Sequence, residues 1–246
     1  MNMPPFKHRM PPGKPYRQIP IRECGEPMVH LPKDVLAFAD PHPYVAAGAP
    51  YGGASPWMLR LSVAESLLKA QKRLSKIRSG WKIKLMDAYR PNSVQAYMVE
   101  CEFAVQAKAE GLNPAALSKS ERERLSPKVF SHWGIPSDDP ATPPPHSTGA
   151  AFDCTLIDET GREIDMGCPV DENSDLSFPE AFEEASDAAE KKAHACRVLL
   201  REVLEAEGLV QHLNEWWHFS RGDQLAVWIE REKNPDAFAI YGRAPL

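Results

Sequence analysis

Two short motifs, far apart in the sequence, constrain the fold of this chain more than any other feature. Residues 145–153 contain His146 and Asp153, and residues 215–218 contain Glu215 and His218. Imidazole and carboxylate groups are zinc ligands, and three protein ligands with an open fourth position are typical of a catalytic zinc ion. Glu215 precedes one candidate ligand by three residues, where it could act as a base. We therefore expect a fold that joins the two motifs into one site, and a metal-dependent hydrolase.

The composition excludes several other classes of protein. The 246 residues are 43% hydrophobic and 26% charged, as in globular proteins, and the net charge of −5 gives no electrostatic basis for binding nucleic acid or an anionic membrane. The sequence contains no apolar run long enough to cross a bilayer and no signal-peptide pattern, so a cytoplasmic location is expected. The five cysteines include no Cys-x-x-Cys pair, which is typical of free thiols in a reducing compartment.

The distribution of prolines and apolar residues predicts the organisation of the chain. Residues 1–27 are expected to form a proline-rich N-terminal arm, and residues 28–246 a single domain. Ser62 and Glu65 form a candidate capping box for the first long helix. Periodicity predicts helices over 62–80, 92–111, 120–125 and 186–207, and strands over 81–86, 150–157, 162–166 and 213–220. This order predicts an α+β fold with a central antiparallel sheet flanked by helices and the zinc site on the sheet.

The spacing of the first motif is a weak signal by itself, because His132 and Asp139 have the same spacing. The context distinguishes the two pairs. Asp153 lies within a predicted strand, where alternation places it on the face opposite Phe152, while a tri-proline segment leads into His146. A carboxylate on a sheet beside a histidine from the preceding loop provides two ligands. The remaining histidines have no comparable partners.

Glu215 and His218 are separated by Trp216 and Trp217. Large aromatic side chains around a metal exclude water and orient its ligands, although they could equally be core residues of a strand. Arg90, at the end of a predicted strand, could hold a fixed positive charge near a developing oxyanion, or form an ordinary surface salt bridge.

Four segments together resemble one known family. They are residues 87–91 (DAYRP), 144–156 (PPHSTGAAFDCTL), 165–167 (DMG) and 215–219 (EWWHF). In this order they resemble the VanX-like D-alanyl-D-alanine dipeptidases of the M15 zinc peptidases, over roughly residues 28–230. The resemblance implies a fold like that of hedgehog domains and DD-peptidases, a Zn²⁺ cofactor and hydrolysis of the small D,D-dipeptide D-Ala-D-Ala.

The resemblance also implies a role for each matching residue. Zinc would be bound by His146, Asp153 and His218. Glu215 would be the general base and then the acid, and Arg90 would stabilise the transition state. Asp165 would bind the free amino group of the substrate, and Trp217 would also contact the substrate.

Two departures from the family pattern keep alternatives open. Pro144 replaces the family's serine two residues before the first ligand, and the family's front segment is degraded over residues 38–48. An M15-type L,D- or D,D-carboxypeptidase acting on longer peptidoglycan peptides is therefore an alternative. Another is a non-catalytic, zinc-bearing binding module like the hedgehog signalling domain, although such a module needs neither Glu215 nor Arg90. The sequence carries no information on the oligomeric state.

Overall fold

The computed structural model describes residues 9–11 and 13–245. Residues 1–8 and 12 of the predicted arm, and residue 246 of the predicted domain, lie outside the described residues. The helices are α1 Pro43–Ala46, α2 Leu61–Ile77, α3 Asn92–Ala109, α4 Lys119–Val129, α5 Ala188–Glu205 and α6 Gln224–Glu230. The strands are β1 Met28–His30, β2 Ala37–Phe38, β3 Met58–Arg60, β4 Lys82–Asp87, β5 Ala151–Ile157, β6 Val210–Gln211 and β7 His218–Ser220. Short 3₁₀ segments include Pro15–Gln18 and Pro145–Thr148.

The central sheet has five strands in the order β2-β4-β5-β7-β6, and β1 pairs with β3 in a separate ribbon. The α+β fold is confirmed, but the predicted antiparallel sheet has one exception at its edge, where the two-residue strand β2 is parallel to β4. Between these two strands the chain passes through β3 and α2, and such a crossover returns the chain to the same direction. The other pairs in the sheet are antiparallel.

The main core lies between the sheet and two of the long helices, α2 and α5. Leu67 and Leu74 of α2, and Leu200 and Val203 of α5, are fully buried in one cluster with Phe152 of β5. Their spacings of seven and three residues place each pair on one face of its helix, which is why the sequence pattern predicted both helices. α3 and α4 pack on each other around a smaller cluster.

Some helix caps and strands predicted from the sequence differ from those in the structure. Ser62 lies inside α2 and caps nothing; its hydroxyl bonds to Glu26 and Tyr241. The strand predicted over 213–220 is reduced to β7, since the backbone closes a turn in which His218 N–H donates to the Glu215 carbonyl. The hairpin partner predicted over 162–166 forms a single bridge, between Ile157 and Glu163. Among the described helices, none is long and apolar enough to cross a bilayer.

The described part of the arm lies against the domain. Met10 and Tyr16 are buried beside Leu225 and Trp228 of α6. Further along, Ile21 forms a parallel bridge with Ala239 near the C-terminus. The arm is therefore packed on the same side of the molecule as α6.

Candidate metal centre

The structure brings His146, Asp153 and His218 together. Asp153 on β5 and His218 on β7 are direct cross-strand partners, and His146 comes from the 3₁₀ segment that precedes β5. Asp153 Oδ1 lies 3.0 Å from His218 Nδ1, and Asp153 Oδ2 lies 3.3 Å from His146 Nε2. All three side chains are buried, and one ligand atom from each lies within 4.8 Å of the others.

The hydrogen bonds around His146 fix which ring nitrogen faces this cluster. His146 Nδ1 lies 2.7 Å from the Ala88 carbonyl oxygen, which can only accept, so Nδ1 carries the proton. Nε2 then presents its lone pair towards His218 Nδ1, 3.2 Å away, and towards Asp153. Such an outer contact orients a metal-binding histidine. Two imidazole nitrogens and a carboxylate oxygen this close together form a donor set that fits a zinc ion.

The loop that carries His146 has its geometry set by proline and glycine. Gly149 ends the 3₁₀ segment at φ 70°, in the left-handed region that favours glycine, and a Cβ there would lie 2.2 Å from the Met28 sulfur. Thr148 donates its hydroxyl proton to the Pro145 carbonyl, and Ser147 donates to the Arg90 carbonyl. The first bond stabilises the loop internally, and the second joins it to the segment that follows β4.

Glu215 lies at the edge of the cluster. Its carboxylate is 3.8 Å from His218 Nδ1 and 3.9 Å from His212 Nδ1, and the residue is only 8% exposed. Burial raises the pKa of Glu215 to about 7; the nearby His218 opposes this shift and the Asp153 carboxylate adds to it. A carboxyl group with a pKa near neutrality can both accept and return a proton at physiological pH.

Arg90 is held in a rigid buried network. Its Nε and one Nη donate to Asp87 Oδ2 at 2.9 and 2.7 Å, and further bonds reach Gln95 and the Tyr44 hydroxyl. The same guanidinium lies 3.5 Å from Asp153. Since a guanidinium has five N–H donors, one Nη1 proton of Arg90 has no acceptor among the described residues. The surface salt bridge considered for Arg90 is wrong, because Arg90 is buried.

A small cavity, partly open to solvent, lies in front of these groups. Its wall is formed by Lys14, Tyr16, Arg90, Gln95, His132, Trp133, Gly134, Pro145, His146, Asp153, Asp171, His212, Glu215, Trp217, His218 and Leu225. Trp217 therefore faces the cavity as well as packing in the main core. The alternative interpretation, that the aromatic residues next to Glu215 and His218 are core residues, also holds, because Trp216 and Phe219 are buried in the same cluster.

The structure does not bring Asp165 to the cavity. Asp165 is exposed, and its carboxylate accepts a hydrogen bond from the Gly167 N–H in a tight turn. Asp171, which follows in the same loop, lines the cavity instead, and its Oδ2 accepts a 2.8 Å bond from the Tyr44 hydroxyl. His132 and Asp139, which have the same spacing as His146 and Asp153, do not form a second site of this kind. His132 bonds to Ser177, while Asp139 is exposed.

Three residues at the site went unassigned from sequence. Asp87 lies in the same motif as Arg90, and its position three residues before Arg90 could have indicated an ion pair between them. Asp171 lies four residues beyond the DMG motif in an irregular loop, and Lys14 lies in the arm. Neither segment has a periodicity from which a side-chain direction could be predicted.

Comparison with known proteins identifies relatives along nearly the whole chain. Residues 38–237 match the family model described as peptidase M15, D-ala-D-ala dipeptidase. A D-alanyl-D-alanine dipeptidase of Synechocystis sp. is 41% identical over 240 residues, which cover 94% of this chain and 97% of that protein. One from Escherichia coli is 39% identical over 74 residues, or 30% of this chain and 36% of that protein. The solved LdcB LD-carboxypeptidase aligns with a TM-score of 0.45 at 13% identity, covering 87% of this chain and 75% of that one.

Proposed function

The chain belongs to the peptidase M15 family of D-Ala-D-Ala dipeptidases, and from this premise we propose that it hydrolyses D-Ala-D-Ala to two molecules of D-alanine with a zinc cofactor. One observation carries the proposal. One possible ligand atom from each of His146, Asp153 and His218 lies within 4.8 Å of the other two, beside a buried Glu215 whose pKa is near neutrality. That arrangement suits a metal-dependent peptidase better than a structural metal site, which would have a fourth protein ligand.

The chain's own residues would divide the chemistry as follows. A zinc ion held by His146, Asp153 and His218 would supply Lewis-acid activation of water and of the peptide carbonyl. Glu215 would take the proton from the attacking water and then deliver it to the leaving amine, as its raised pKa allows. Arg90 would use its remaining Nη1 proton to stabilise the developing oxyanion, since its other donors are occupied.

Asp171 is our candidate for the substrate's free amino group, in place of Asp165. Its carboxylate reaches the cavity and is oriented by the Tyr44 hydroxyl, which itself accepts a 3.1 Å bond from Arg90. An ammonium group bound there would lie on the Arg90 side of the cavity. Trp217 would exclude water from the reacting peptide bond, as its burial in the cavity wall suggests.

The test is release of free D-alanine from D-Ala-D-Ala by zinc-loaded protein, compared with Glu215→Gln. Loss of a general base lowers kcat by about 10²- to 10⁴-fold, so we expect turnover to fall by that range while zinc remains bound. Glu163→Gln is the matched control, because Glu163 is an exposed glutamate paired with Lys84. Near-normal kcat in Glu215→Gln would refute the assigned role.

Assays of the dipeptide and of longer peptidoglycan peptides, run in parallel, distinguish the dipeptidase from the alternative functions. Release of D-alanine from the dipeptide alone supports the dipeptidase, whereas cleavage of longer peptidoglycan peptides in preference to it supports an M15-type carboxypeptidase. Zinc binding without cleavage of either substrate would support the non-catalytic binding module.

A further inference from the structure

The N-terminal arm places a buried lysine in the wall of the cavity, without a partner for its ammonium group among the described residues. Lys14 is 6% exposed and lines the cavity together with Tyr16. Within residues 9–11 and 13–245, no hydrogen bond or ion pair reaches its ammonium group. Burial lowers the pKa of Lys14, and the nearby Glu215 carboxylate counteracts this only in part. An ammonium group removed from water without a partner is unfavourable, so a feature of this kind points to an anionic ligand.

The arm holds Lys14 in this position through contacts on both sides. The Met10 N–H donates to Asn214 Oδ1 at 2.9 Å, and Gln224 Nε2 donates to the Ile19 carbonyl at 2.6 Å. Tyr16, 4% exposed, anchors the segment against α6. Lys14 itself has φ 52°, a left-handed conformation uncommon for a residue with a side chain. Its position is therefore set by the packing of the arm.

The other cation of the cavity wall is already occupied. Arg90 donates to Asp87, Gln95 and Tyr44, which leaves it a single N–H without an acceptor among the described residues and two neighbouring carboxylates. Arg90 is thus poorly suited to bind a further full negative charge. In the cavity wall, Lys14 is the cation that lacks a counter-ion among the described residues.

The position of Lys14 relative to Glu215 identifies the anion. In the proposed reaction Glu215 delivers a proton to the leaving amine, and the carbon bonded to that nitrogen carries the substrate's C-terminal carboxylate. The arm that carries Lys14 is bonded through Met10 to Asn214, which directly precedes Glu215, whereas Asp171 is bonded to Tyr44 and through it to Arg90. Lys14 also acts on the charge of Glu215 more strongly than Asp171 does. The cavity thus offers a cation on the leaving-group side and a carboxylate on the other, which is complementary to a zwitterionic dipeptide.

Building on the proposed function, we propose that Lys14 binds the C-terminal carboxylate of the substrate. The arm then determines specificity, because it covers the cavity where the chain of the substrate must end. A peptide whose C-terminus is blocked or extended cannot present a carboxylate at this point.

The test uses a pair of uncleavable ligands that differ only at the C-terminus. In both, a phosphinate –PO₂⁻–CH₂– replaces the peptide –CO–NH– of D-Ala-D-Ala; one ends in a carboxylate and the other in a carboxamide. Calorimetry on zinc-loaded full-length protein measures both affinities. Since a charged hydrogen bond is worth about 10- to 100-fold in affinity, we expect the wild type to prefer the carboxylate by that factor. Lys14→Met should remove the preference, and Lys14→Arg should keep part of it.

Controls separate this contact from a structural role. Lys33→Met, at an exposed lysine outside the cavity wall, should keep the wild-type preference. Equal weakening of both ligands by Lys14→Met would overturn the proposal, because it would indicate altered packing or an effect on Glu215. A wild type without any preference would also overturn it, and that result requires no variant to fold. If the preference is present but D-Ala-D-Ala is not cleaved, the proposed function fails while the carboxylate contact stands.

Discussion

Asp87 joins the candidate oxyanion group to the candidate metal ligands, and its replacement by asparagine should weaken both. The residue is 1% exposed and accepts bonds from Arg90 and from His42 Nε2, the latter at 3.0 Å. Its Oδ2 also lies 3.2 Å from His146 Nδ1. Burial would raise the pKa of Asp87, but the Arg90 guanidinium and the His42 bond outweigh burial and hold the pKa below its usual value.

The size of the effect follows from the charge that Asp87→Asn removes. Arg90 would remain buried, with Asp153 at 3.5 Å as its nearest remaining carboxylate in the network. Removing one partner of a buried ion pair costs about 3–5 kcal/mol. An asparagine oxygen can still accept one bond and Asp153 compensates in part, so we expect a loss of about 3 kcal/mol, at the lower end of that range.

Urea unfolding of the metal-free protein measures this loss, with Asp34→Asn as the control at an exposed aspartate. The control should change the free energy of unfolding by less than about 0.5 kcal/mol. Zinc affinity should fall about 10- to 100-fold in Asp87→Asn, as is usual for an outer-sphere partner. A loss of stability below about 1 kcal/mol would mean that Arg90 does not depend on Asp87, and would refute the reasoning.

Two further predictions concern the loop of His146 and the metal. Gly149→Ala should lower the free energy of unfolding by at least about 1–2 kcal/mol, because alanine is strained at φ 70° and its Cβ would displace the Met28 side chain; a neutral result in urea unfolding would contradict the assigned backbone constraint. Chelation should lower the melting temperature and added zinc should restore it, since a ligand at 100 times its Kd stabilises by about 2.7 kcal/mol; an equal response in Asp153→Asn would locate the ion elsewhere.

The parts of the site that could be predicted from sequence are those that follow local patterns. Asp153 lies in a strand that alternation reveals, and His218 follows Glu215 at a fixed spacing within one turn. The pairing of Asp153 with His218 is a long-range register that no local pattern specifies. A resemblance to a family was needed to join the two motifs. The two-residue strand β2, whose parallel pairing makes the sheet mixed, is too short for any periodicity to indicate.

Asp165 and Asp171 show how two aspartates of one loop can be placed differently by the structure. Both belong to the loop around the DMG motif, but the Asp165 carboxylate is used in a local turn with the Gly167 N–H. Aspartate commonly accepts such a bond from the N–H two residues ahead, so the place of Asp165 two residues before a glycine favours a structural role. Asp171 lies at φ 65° after an irregular stretch, where sequence does not determine the direction of the side chain.

The arm shows a second limit of motif-based boundaries. The resemblance began near residue 28 and left out the segment that contributes Lys14 and Tyr16 to the cavity wall. Motifs identify the residues that a reaction requires of every member of a family, whereas the open side of a cavity can be covered by any segment that packs there. In this chain that segment is held by α6 and by Asn214, which precedes Glu215 directly. The element that closes the cavity is thus attached beside the candidate base, so the proposed selection of substrate length and the proposed chemistry depend on the same packing.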